Sequence, residues 1–345
     1  MKALSLERPA PVSERPLRLV TLPDPVPGPV EVVNEVTACG VCRTDLHIVE
    51  GDLPAPAYPI VPGHQAVGRV AARGASVAHL ADGDRVGVAW VGRLCGTCDY
   101  CRNGRENLCD NPTFTGFHRP GGFAEKVAAD AAFVHRIPES FPDDARAAPL
   151  LCAGIIGYRA LKQSGLRPGE SIALFGFGAA AHIAIQVATA WGCEVYVVSR
   201  GEDSLARARA LGASWTGLPG TRLPRPVDHA VSFAPVGSVI PDALRDLRKG
   251  GVLSLAGIYL DRVPEMDYPT HIFGEKSIVS TTANTREDAR ELLELAARVD
   301  IRTDVEIFPL EAANEALFRL RQGTLAAQAA VLRVKTLTPA AVLRV

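Results

Sequence analysis

Cysteines and histidines in this sequence stand at spacings that suit metal binding. The stretch CGVCRTDLH contains Cys39 and Cys42, separated by two residues. Two further candidates stand alone, His64 in VPGHQAVG and Cys152 in PLLCAGIIG. Two cysteines with one histidine form a known ligand set for catalytic zinc, which keeps its fourth position open. Taken singly, a cysteine in an apolar run is more often a buried small hydrophobe, and a lone histidine is more often a hydrogen-bonding group.

A second group of cysteines predicts a closed metal site. The run CGTCDYCRNGRENLC has the spacing C-x2-C-x2-C-x7-C, which gives Cys95, Cys98, Cys101 and Cys109. A ferredoxin-type iron–sulfur cluster has a shorter last gap followed by proline, whereas Asp110 follows here. Two disulfides would need an oxidising compartment. We therefore expect a structural zinc with four thiolate ligands, which folds the loop and catalyses nothing.

The composition is that of an ordinary globular protein. Of 345 residues, 47% are hydrophobic and 22% are charged, and the net charge is −1. This length allows two hydrophobic cores, and the balanced charge does not indicate nucleic acid or an anionic membrane as a partner. The start MKALSLERPA does not read as a signal peptide, and no apolar run of about 18 residues predicts a membrane span. We expect a soluble cytoplasmic protein with reduced thiols.

Three regions must position these side chains. Residues 1–152 carry the metal candidates and contain short Val- and Ala-rich runs between Pro and Gly, which predicts antiparallel strands. In residues 153–284 apolar strands alternate with helices, including a predicted helix at 237–251, and this alternation predicts a doubly wound parallel sheet. Residues 285–345 predict two helices and a last strand, at 327–334, that returns to the first region.

The end of the chain repeats a short sequence. AAVLRV occurs at 329–334 and again at 340–345. Two copies are too few for a repeat architecture, so we treat 335–345 as a tail.

A glycine-rich turn predicts dinucleotide binding. GFGAAAH follows an apolar strand and opens a helix, and it matches G-x-G-x-x-A with Gly176, Gly178 and Ala181. The second strand ends at Ser199 and Arg200, without the acidic residue that holds the ribose 2′-hydroxyl of NAD. We expect NADP(H), because an arginine there can pair with the 2′-phosphate, and NAD(H) is the alternative.

Together these motifs resemble the zinc-dependent medium-chain alcohol dehydrogenases, in particular the bacterial and yeast-like branch with its cinnamyl-alcohol-type subgroup. The resemblance runs from about residue 3 to 334 and rests on GVCRTDLH, PGHQAVG, the four-cysteine run, LLCAG and the glycine-rich turn. It implies a mostly-β GroES-like catalytic domain and a Rossmann cofactor domain. It also implies that Cys42, His64 and Cys152 hold a catalytic zinc, giving two zinc ions per chain. Cys39 has no ligand counterpart in most members, and we expect it to be a core thiol.

The resemblance gives roles to the residues after Cys42. Thr44 and His47 would relay a proton from the substrate oxygen to solvent. Asp45 would orient His64 through its other ring nitrogen. Arg43 resembles the residue that contacts the cofactor pyrophosphate.

Gln65 departs from the family pattern, which usually has Glu after the ligand histidine. A less negative site should lower the pKa of an alcohol bound at zinc. This is our hypothesis for the substitution.

The expected substrate is a primary alcohol or aldehyde, aliphatic or aromatic. Trp90 stands where the family places an aromatic pocket wall, and Leu53, Phe114 and Ile258 are weaker candidates for apolar walls. An apolar pocket discriminates weakly between homologous alcohols, so we expect a broad range.

Two other functions stay open at this point. One is a polyol, sugar or amino-alcohol dehydrogenase of the same fold, whose pocket would need more polar groups. The other is a non-catalytic nucleotide-binding zinc protein that senses redox state through its thiols. By analogy with the family we expect a homodimer or homotetramer joined through the nucleotide-binding domain, where an edge strand near GVLSLAGI could serve as the contact.

Overall fold

The computed structural model describes residues 1–141 and 143–335. The chain divides into two compact units. The first contains residues 1–152, 285–297 and the residues from 303 onward, and the second contains residues 153–284 and 298–302. The second copy of AAVLRV, at 340–345, lies outside the described residues.

Residues 1–152 form mainly short strands, because Val and Ala alternate there with turn-forming Pro and Gly. The strands are β1 Lys2–Leu6, β2 Leu17–Thr21, β3 Glu31–Val41, β4 Ala66–Arg73, β5 Arg85–Val88, β6 Val91–Arg93, β7 Thr113–Phe114, β8 Lys126–Asp130 and β9 Val134–Arg136. The helices are α1 Arg43–Glu50, α2 Asp99–Arg102 and α3 Asp144–Ala147, and 3-10 turns lie at Val12–Glu14, Glu106–Leu108, Ala131–Phe133 and Ala148–Leu151.

The second unit is the predicted doubly wound sheet. Its helices are α4 Ala153–Ser164, α5 Ala179–Ala190, α6 Glu202–Ala210, α7 Val239–Arg245 and α8 Tyr268–His271. Its strands are β10 Ser171–Phe175, β11 Glu194–Val198, β12 Trp215–Gly217, β13 Val227–Ser232, β14 Leu247–Leu255 and β15 Ser277–Ser280. All six strands are parallel, in the order β12-β11-β10-β13-β14-β15. The predicted α/β fold class, with a GroES-like and a Rossmann-type part, is confirmed.

Two details of the second unit differ from the predictions. The helix predicted at 237–251 ends at Arg245, because Leu247 pairs with Val227 and the chain continues as β14. The segment GVLSLAGI does not provide an edge strand, since β14 pairs with β13 on one side and β15 on the other. The edge strands of this sheet are β12 and β15.

The remaining elements are α9 Arg286–Arg298, β16 Val305–Pro309, a 3-10 turn at Leu310–Ala312, α10 Ala313–Gln322 and β17 Ala329–Arg333. β17 pairs with β3, with Leu332 opposite Cys39. The seven-stranded sheet of the first unit has the order β16-β17-β3-β4-β5-β9, and β8 also pairs with β3. The first unit has its own core, in which the thiol of Cys39 is completely buried beside Leu46 and Phe123.

Candidate active site

Three candidate ligands converge beside the ends of β3 and β4. Cys42 directly follows β3, His64 precedes β4, and Cys152 follows the 3-10 turn at 148–151. Because β3 and β4 are antiparallel neighbours, the end of one lies beside the start of the other. The Sγ atom of Cys42 lies 3.3 Å from Nε2 of His64 and 3.9 Å from Sγ of Cys152. All three ligand atoms lie within 4.8 Å of one another, which fits the edges of a zinc tetrahedron with metal–ligand bonds of about 2.0–2.3 Å.

Cys42 is the N-cap residue of α1 and also offers a thiol as a metal ligand. Its Sγ accepts a hydrogen bond of 3.3 Å from the backbone N–H of Thr44, and its own N–H donates to Oδ2 of Asp45 over 2.9 Å. These two bonds form a capping box at the N-terminus of α1. The positive end of the helix dipole therefore faces the sulfur and favours its thiolate form.

Asp45 also lies against the histidine ligand. Its Oδ1 is 3.1 Å from Nδ1 of His64 and accepts a 3.2 Å hydrogen bond from the backbone N–H of Gly63. The Asp45–His64 approach is close enough for an ion pair but does not have hydrogen-bond geometry. Both side chains are buried. The carboxylate therefore lies beside one ring nitrogen of His64, while the other faces Cys42.

Burial and neighbouring groups shift the pKa values of the three candidate ligands. A hydrogen bond from the Cys152 thiol holds the pKa of Cys42 well below its usual value, although burial opposes this shift. The same contact, together with burial, raises the pKa of Cys152 well above its usual value. For His64, burial lowers the pKa, but the negative charges of Asp45 and Cys42 outweigh it and raise the pKa. Zinc binding would have to displace the protons that these shifts retain on Cys152 and His64, because the ligands of zinc are deprotonated.

An aromatic group covers one side of His64. The ring of Trp90 meets the imidazole edge-on with centroids 5.0 Å apart, and it stacks on Phe114 at 4.7 Å. Phe117 lies 5.8 Å from Trp90, and His118 meets Phe117 edge-on at 4.7 Å. The sequence analysis missed Phe117 and His118, although the run FTGFH contains a visible aromatic signal. The two aromatic wall candidates of the first unit, Trp90 and Phe114, do lie together beside a ligand.

The other two wall candidates have different surroundings. Leu53 is half-buried against the core of the first unit, and its N–H donates to the carbonyl of His47 over 3.0 Å. Ile258 belongs to the second unit and is 63% exposed.

The predicted relay residues both lie on α1. Thr44 is buried in the first turn of the helix. His47 is half-buried, and its Nδ1 lies 2.9 Å from Oδ2 of the exposed Asp52. The sequence analysis did not identify Asp52 as a partner for this histidine. Arg43, the first residue of α1, is exposed.

Gln65 is enclosed beside the ligand histidine. Its side chain is 2% exposed, and a Cβ atom at Gly40 would come within 2.6 Å of its Oε1. Its buried Nε2 has no hydrogen-bond partner among the described residues. A carboxylate at this position would add negative charge to a buried site, since Asp45 already supplies one.

The four cysteines of the run at 95–109, which we call the lobe, come together as their spacing predicts. The Sγ atoms of Cys95, Cys98, Cys101 and Cys109 lie within 4.8 Å of one another. Backbone N–H groups donate to these sulfurs: that of Cys98 to Cys95, and those of Cys95 and Asn111 to Cys109. Hydrogen bonds from the backbone of Thr97 and Cys98 lower the pKa of Cys95 to about 6. This cage of four thiols, with no position left open, fits a structural zinc.

The glycine-rich turn has the geometry that a dinucleotide needs. Gly176 has a φ of 89°, and a Cβ there would lie 3.0 Å from the backbone nitrogen of Ala234. At Gly178, the N-cap of α5, a Cβ would meet no atom within 4 Å. The space in front of the helix N-terminus is therefore open for a pyrophosphate. Ala181 is completely buried, as expected for the helix-packing position.

The end of β11 presents Ser199 and Arg200. Ser199 is half-buried, and its N–H donates to the carbonyl of Gly217 over 3.1 Å. Arg200 is exposed. No acidic side chain stands at this strand end, where a NAD-binding carboxylate would be.

Comparison with known proteins identifies the family. The alcohol dehydrogenase GroES-like domain model matches residues 28–139, and the zinc-binding dehydrogenase model matches residues 179–298. The probable alcohol dehydrogenase AdhA of Mycobacterium tuberculosis is 45% identical, over 96% of this chain and 97% of its own length. The chain belongs to the zinc-dependent medium-chain alcohol dehydrogenase family.

Solved structures of the family superpose on nearly the whole chain. A protein assigned as a zinc-binding dehydrogenase from Sinorhizobium meliloti, bound to NADP, has a TM-score of 0.86 and 25% identity, covering 96% of this chain and 99% of its own. Acetophenone reductase from Geotrichum candidum, in complex with NAD, has a TM-score of 0.84 and 27% identity, covering 96% and 97%. The family resemblance predicted from the motifs is confirmed, and the protein is an oxidoreductase of this family.

Among the described residues, no helix has both the length and the apolar character needed to cross a membrane.

Proposed function

We propose that the protein is a zinc-dependent dehydrogenase that interconverts primary alcohols and aldehydes. The observation that carries this proposal is the convergence of Cys42, His64 and Cys152 within 4.8 Å at one point. Two cysteines and one histidine leave a coordination position open, as in catalytic zinc sites. With zinc and a nicotinamide bound, the enzyme has a Lewis acid for the substrate oxygen and a partner for hydride transfer.

Thr44 and His47 are the proposed proton relay. Thr44 is buried two residues after Cys42, where its hydroxyl can exchange a proton with a substrate oxygen. The 2.9 Å contact between Nδ1 of His47 and Oδ2 of Asp52 orients the imidazole of the proposed relay. Histidine takes up and releases protons near neutral pH, and the exposed Asp52 connects it to solvent.

The aromatic group of Trp90, Phe114 and Phe117 is the proposed substrate wall. Its stacked rings offer an apolar face beside His64, which supports aliphatic or aromatic alcohols rather than polyols or sugars. Such a wall separates homologous alcohols by only about 1–3 kcal/mol per methylene. We therefore propose a broad substrate range.

The proposed cofactor is NADP(H). The open space at Gly178 supports binding of the pyrophosphate, and we propose the exposed Arg43 as a further contact for it. Since structurally similar proteins have been solved with either NADP or NAD, the fold does not decide the choice. Ser199 and Arg200 favour NADP, because neither is a carboxylate that would repel the 2′-phosphate and Arg200 is a cation that can bind it.

The proposed oligomer is a homodimer or homotetramer built through β15. In the described part of the chain, β15 pairs only with β14, so its outer edge has free backbone groups. Its residues are mostly exposed, including Ile278 at 37%. An exposed strand edge is a template for pairing with another copy. Light scattering of the wild type and of Ile278→Asp tests this, and a monomeric wild type would contradict it.

A substrate panel tests the proposed function. Zinc-replete protein is assayed with primary alcohols, aldehydes, polyols and acetophenone, each with NADP(H) and with NAD(H). We expect the highest kcat/KM for primary alcohols and aldehydes with NADP(H), and Ser199→Asp should shift the preference toward NAD(H). Activity on polyols alone would favour the sugar dehydrogenase, and no activity with either cofactor would overturn the proposal.

A further inference from the structure

The ligand Cys152 ends a short buried segment whose far end is fixed by a buried arginine. Residues 144–151 form α3 and the 3-10 turn that follows it, and Cys152 comes directly after them. Ala145, Ala147, Ala148, Leu150 and Leu151 are all at most 1% exposed. This segment, the Cys152 arm, therefore has little freedom to bend within itself, and its two ends should move together.

Arg85 of β5 holds the start of this arm with all three nitrogens of its guanidinium. Its Nε donates to Oδ1 of Asp144 over 2.7 Å, and Nη2 lies 2.6 Å from the same oxygen. Its Nη1 donates to the carbonyls of Pro138 and Phe141 over 3.0 and 2.8 Å. The Arg85 side chain is 6% exposed and that of Asp144 is 13% exposed. A guanidinium can satisfy these four directions at once, whereas an ammonium cannot.

Thr37, on strand β3, makes a further contact with Asp144. Its hydroxyl donates to Oδ2 of Asp144 and lies 3.0 Å from the carbonyl of Val67 on β4. We call Arg85, Asp144 and Thr37 the Arg85 clasp. It fixes the arm to β3 and β5, while Cys42 and His64 are fixed by the ends of β3 and β4.

The other end of the arm rests on the same strand. A Cβ atom at Gly87 would come within 2.7 Å of Cδ1 and Cδ2 of Leu151, so the leucine lies directly on the glycine. Arg85 and Gly87 are two residues apart on β5. The arm is thus attached to β5 at both ends, immediately before Cys152.

We propose that Arg85 is a positioning residue for the catalytic metal, which acts by holding the Cys152 thiolate at the distance that zinc requires. A zinc site tolerates errors of only about 0.2 Å in its ligand distances. Cys42 and His64 are set by the strands themselves, but Cys152 comes from a segment 110 residues downstream of Cys42 and depends on the clasp. This inference rests on the proposed zinc site of Cys42, His64 and Cys152.

The test is site-resolved zinc release. Zinc is counted as it passes to a chromogenic chelator, and freed thiols are alkylated with iodoacetamide and mapped by mass spectrometry to Cys42 and Cys152 or to the lobe. For Arg85→Met we expect release from the Cys42 site to be about 10- to 100-fold faster, as for other contacts that support metal ligands, with the lobe unchanged. Arg319→Met is the matched control, because Arg319 pairs with Glu306 in the same unit but lies on α10. It should release both zinc ions at the wild-type rates.

Two milder variants keep the test decisive if Arg85→Met does not fold. Arg85→Lys keeps the positive charge but loses the planar guanidinium with its several donors. Thr37→Val leaves the Arg85–Asp144 ion pair in place but removes the hydroxyl that completes the clasp. Both should speed release selectively from the Cys42 site, by a smaller factor. If folded clasp variants release zinc from the Cys42 site at the wild-type rate, the positioning role of Arg85 is contradicted. It is also contradicted if release from the Cys42 site and from the lobe is accelerated equally.

The same experiment separates the two proposals. If the wild type holds only the lobe zinc, and Cys42 and Cys152 are alkylated without chelator, the proposed function fails. If the wild type holds both zinc ions and the clasp variants release neither ion faster than the wild type does, only the positioning role of Arg85 fails.

Discussion

Oδ1 of Asp45 lies 3.1 Å from Nδ1 of His64, and both side chains are excluded from solvent. The same carboxylate accepts a hydrogen bond from the N–H of Cys42. One side chain therefore contacts two of the three proposed zinc ligands. This explains how a helix cap and a metal site can be built from the same short stretch, CGVCRTDLH.

Asp45→Asn should weaken zinc binding at the catalytic site while leaving the helix cap largely intact. The amide oxygen can still accept from the backbone, but the negative charge beside His64 is lost. We expect zinc affinity at this site to fall about 10- to 100-fold, measured by competition with a chelator. The lobe zinc serves as the internal control, and unchanged affinity at the Cys42 site would contradict the assignment.

Gln65→Glu should move the acidic limb of the pH–rate profile for alcohol oxidation to higher pH. The added carboxylate is buried beside His64 and opposes loss of the alcohol proton, so the pKa that governs this limb should rise by about 1. The measurement is kcat/KM for a primary alcohol between pH 5 and 10. If the limb stays in place, the interpretation of Gln65 fails.

Gly178→Ala should weaken cofactor binding without a large change in stability. Its φ of −104° is open to alanine, and the new methyl group would enter the empty space proposed for the pyrophosphate. Gly201→Ala is the matched control, because Gly201 is the N-cap of α6 and loses the same small capping preference. Fluorescence titration with NADPH should show at least about a 10-fold weaker Kd for Gly178→Ala alone. Equal affinity of the two variants would contradict the assignment.

His135→Gln should make the protein less sensitive to acid. Burial and the positive charge of Arg286 lower the pKa of His135 to about 4, against about 6.5 when unfolded. Between these values the unfolded chain binds more protons, so the free energy of unfolding falls as pH falls from about 6.5 to 4. This group contributes about 1–3 kcal/mol to that loss. Urea midpoints at pH 7 and 5 should differ less in the variant, and an equal difference would contradict the prediction.

Local patterns in the sequence predicted the features that depend on neighbouring residues. The four-cysteine spacing, the G-x-G-x-x-A turn and the strand–helix alternation each lie within one continuous stretch, and each forms as expected. Where two local signals compete, the prediction fails. The charged segment after Arg245 looks helical, but pairing of Leu247 with Val227 draws it into β14.

Contacts between distant segments could not be predicted where no family motif covers them. Nothing in the sequence connects Arg85 with Asp144, or Phe117 with Trp90, because only the folded chain brings these residues together. The spacing of Cys39 and Cys42 did not separate their roles either. In the structure, Cys39 is a core residue of β3, paired with Ala66 on one side and Leu332 on the other, whereas Cys42 lies just beyond the strand end.

The most direct test of a catalytic zinc at Cys42, His64 and Cys152 is the zinc content of three proteins, measured with their alcohol oxidation activity. We expect two zinc ions per chain in the wild type and in Cys39→Ala. Cys42→Ala should keep only the lobe zinc and lose activity. One zinc per wild-type chain, or two in an active Cys42→Ala variant, would contradict the account.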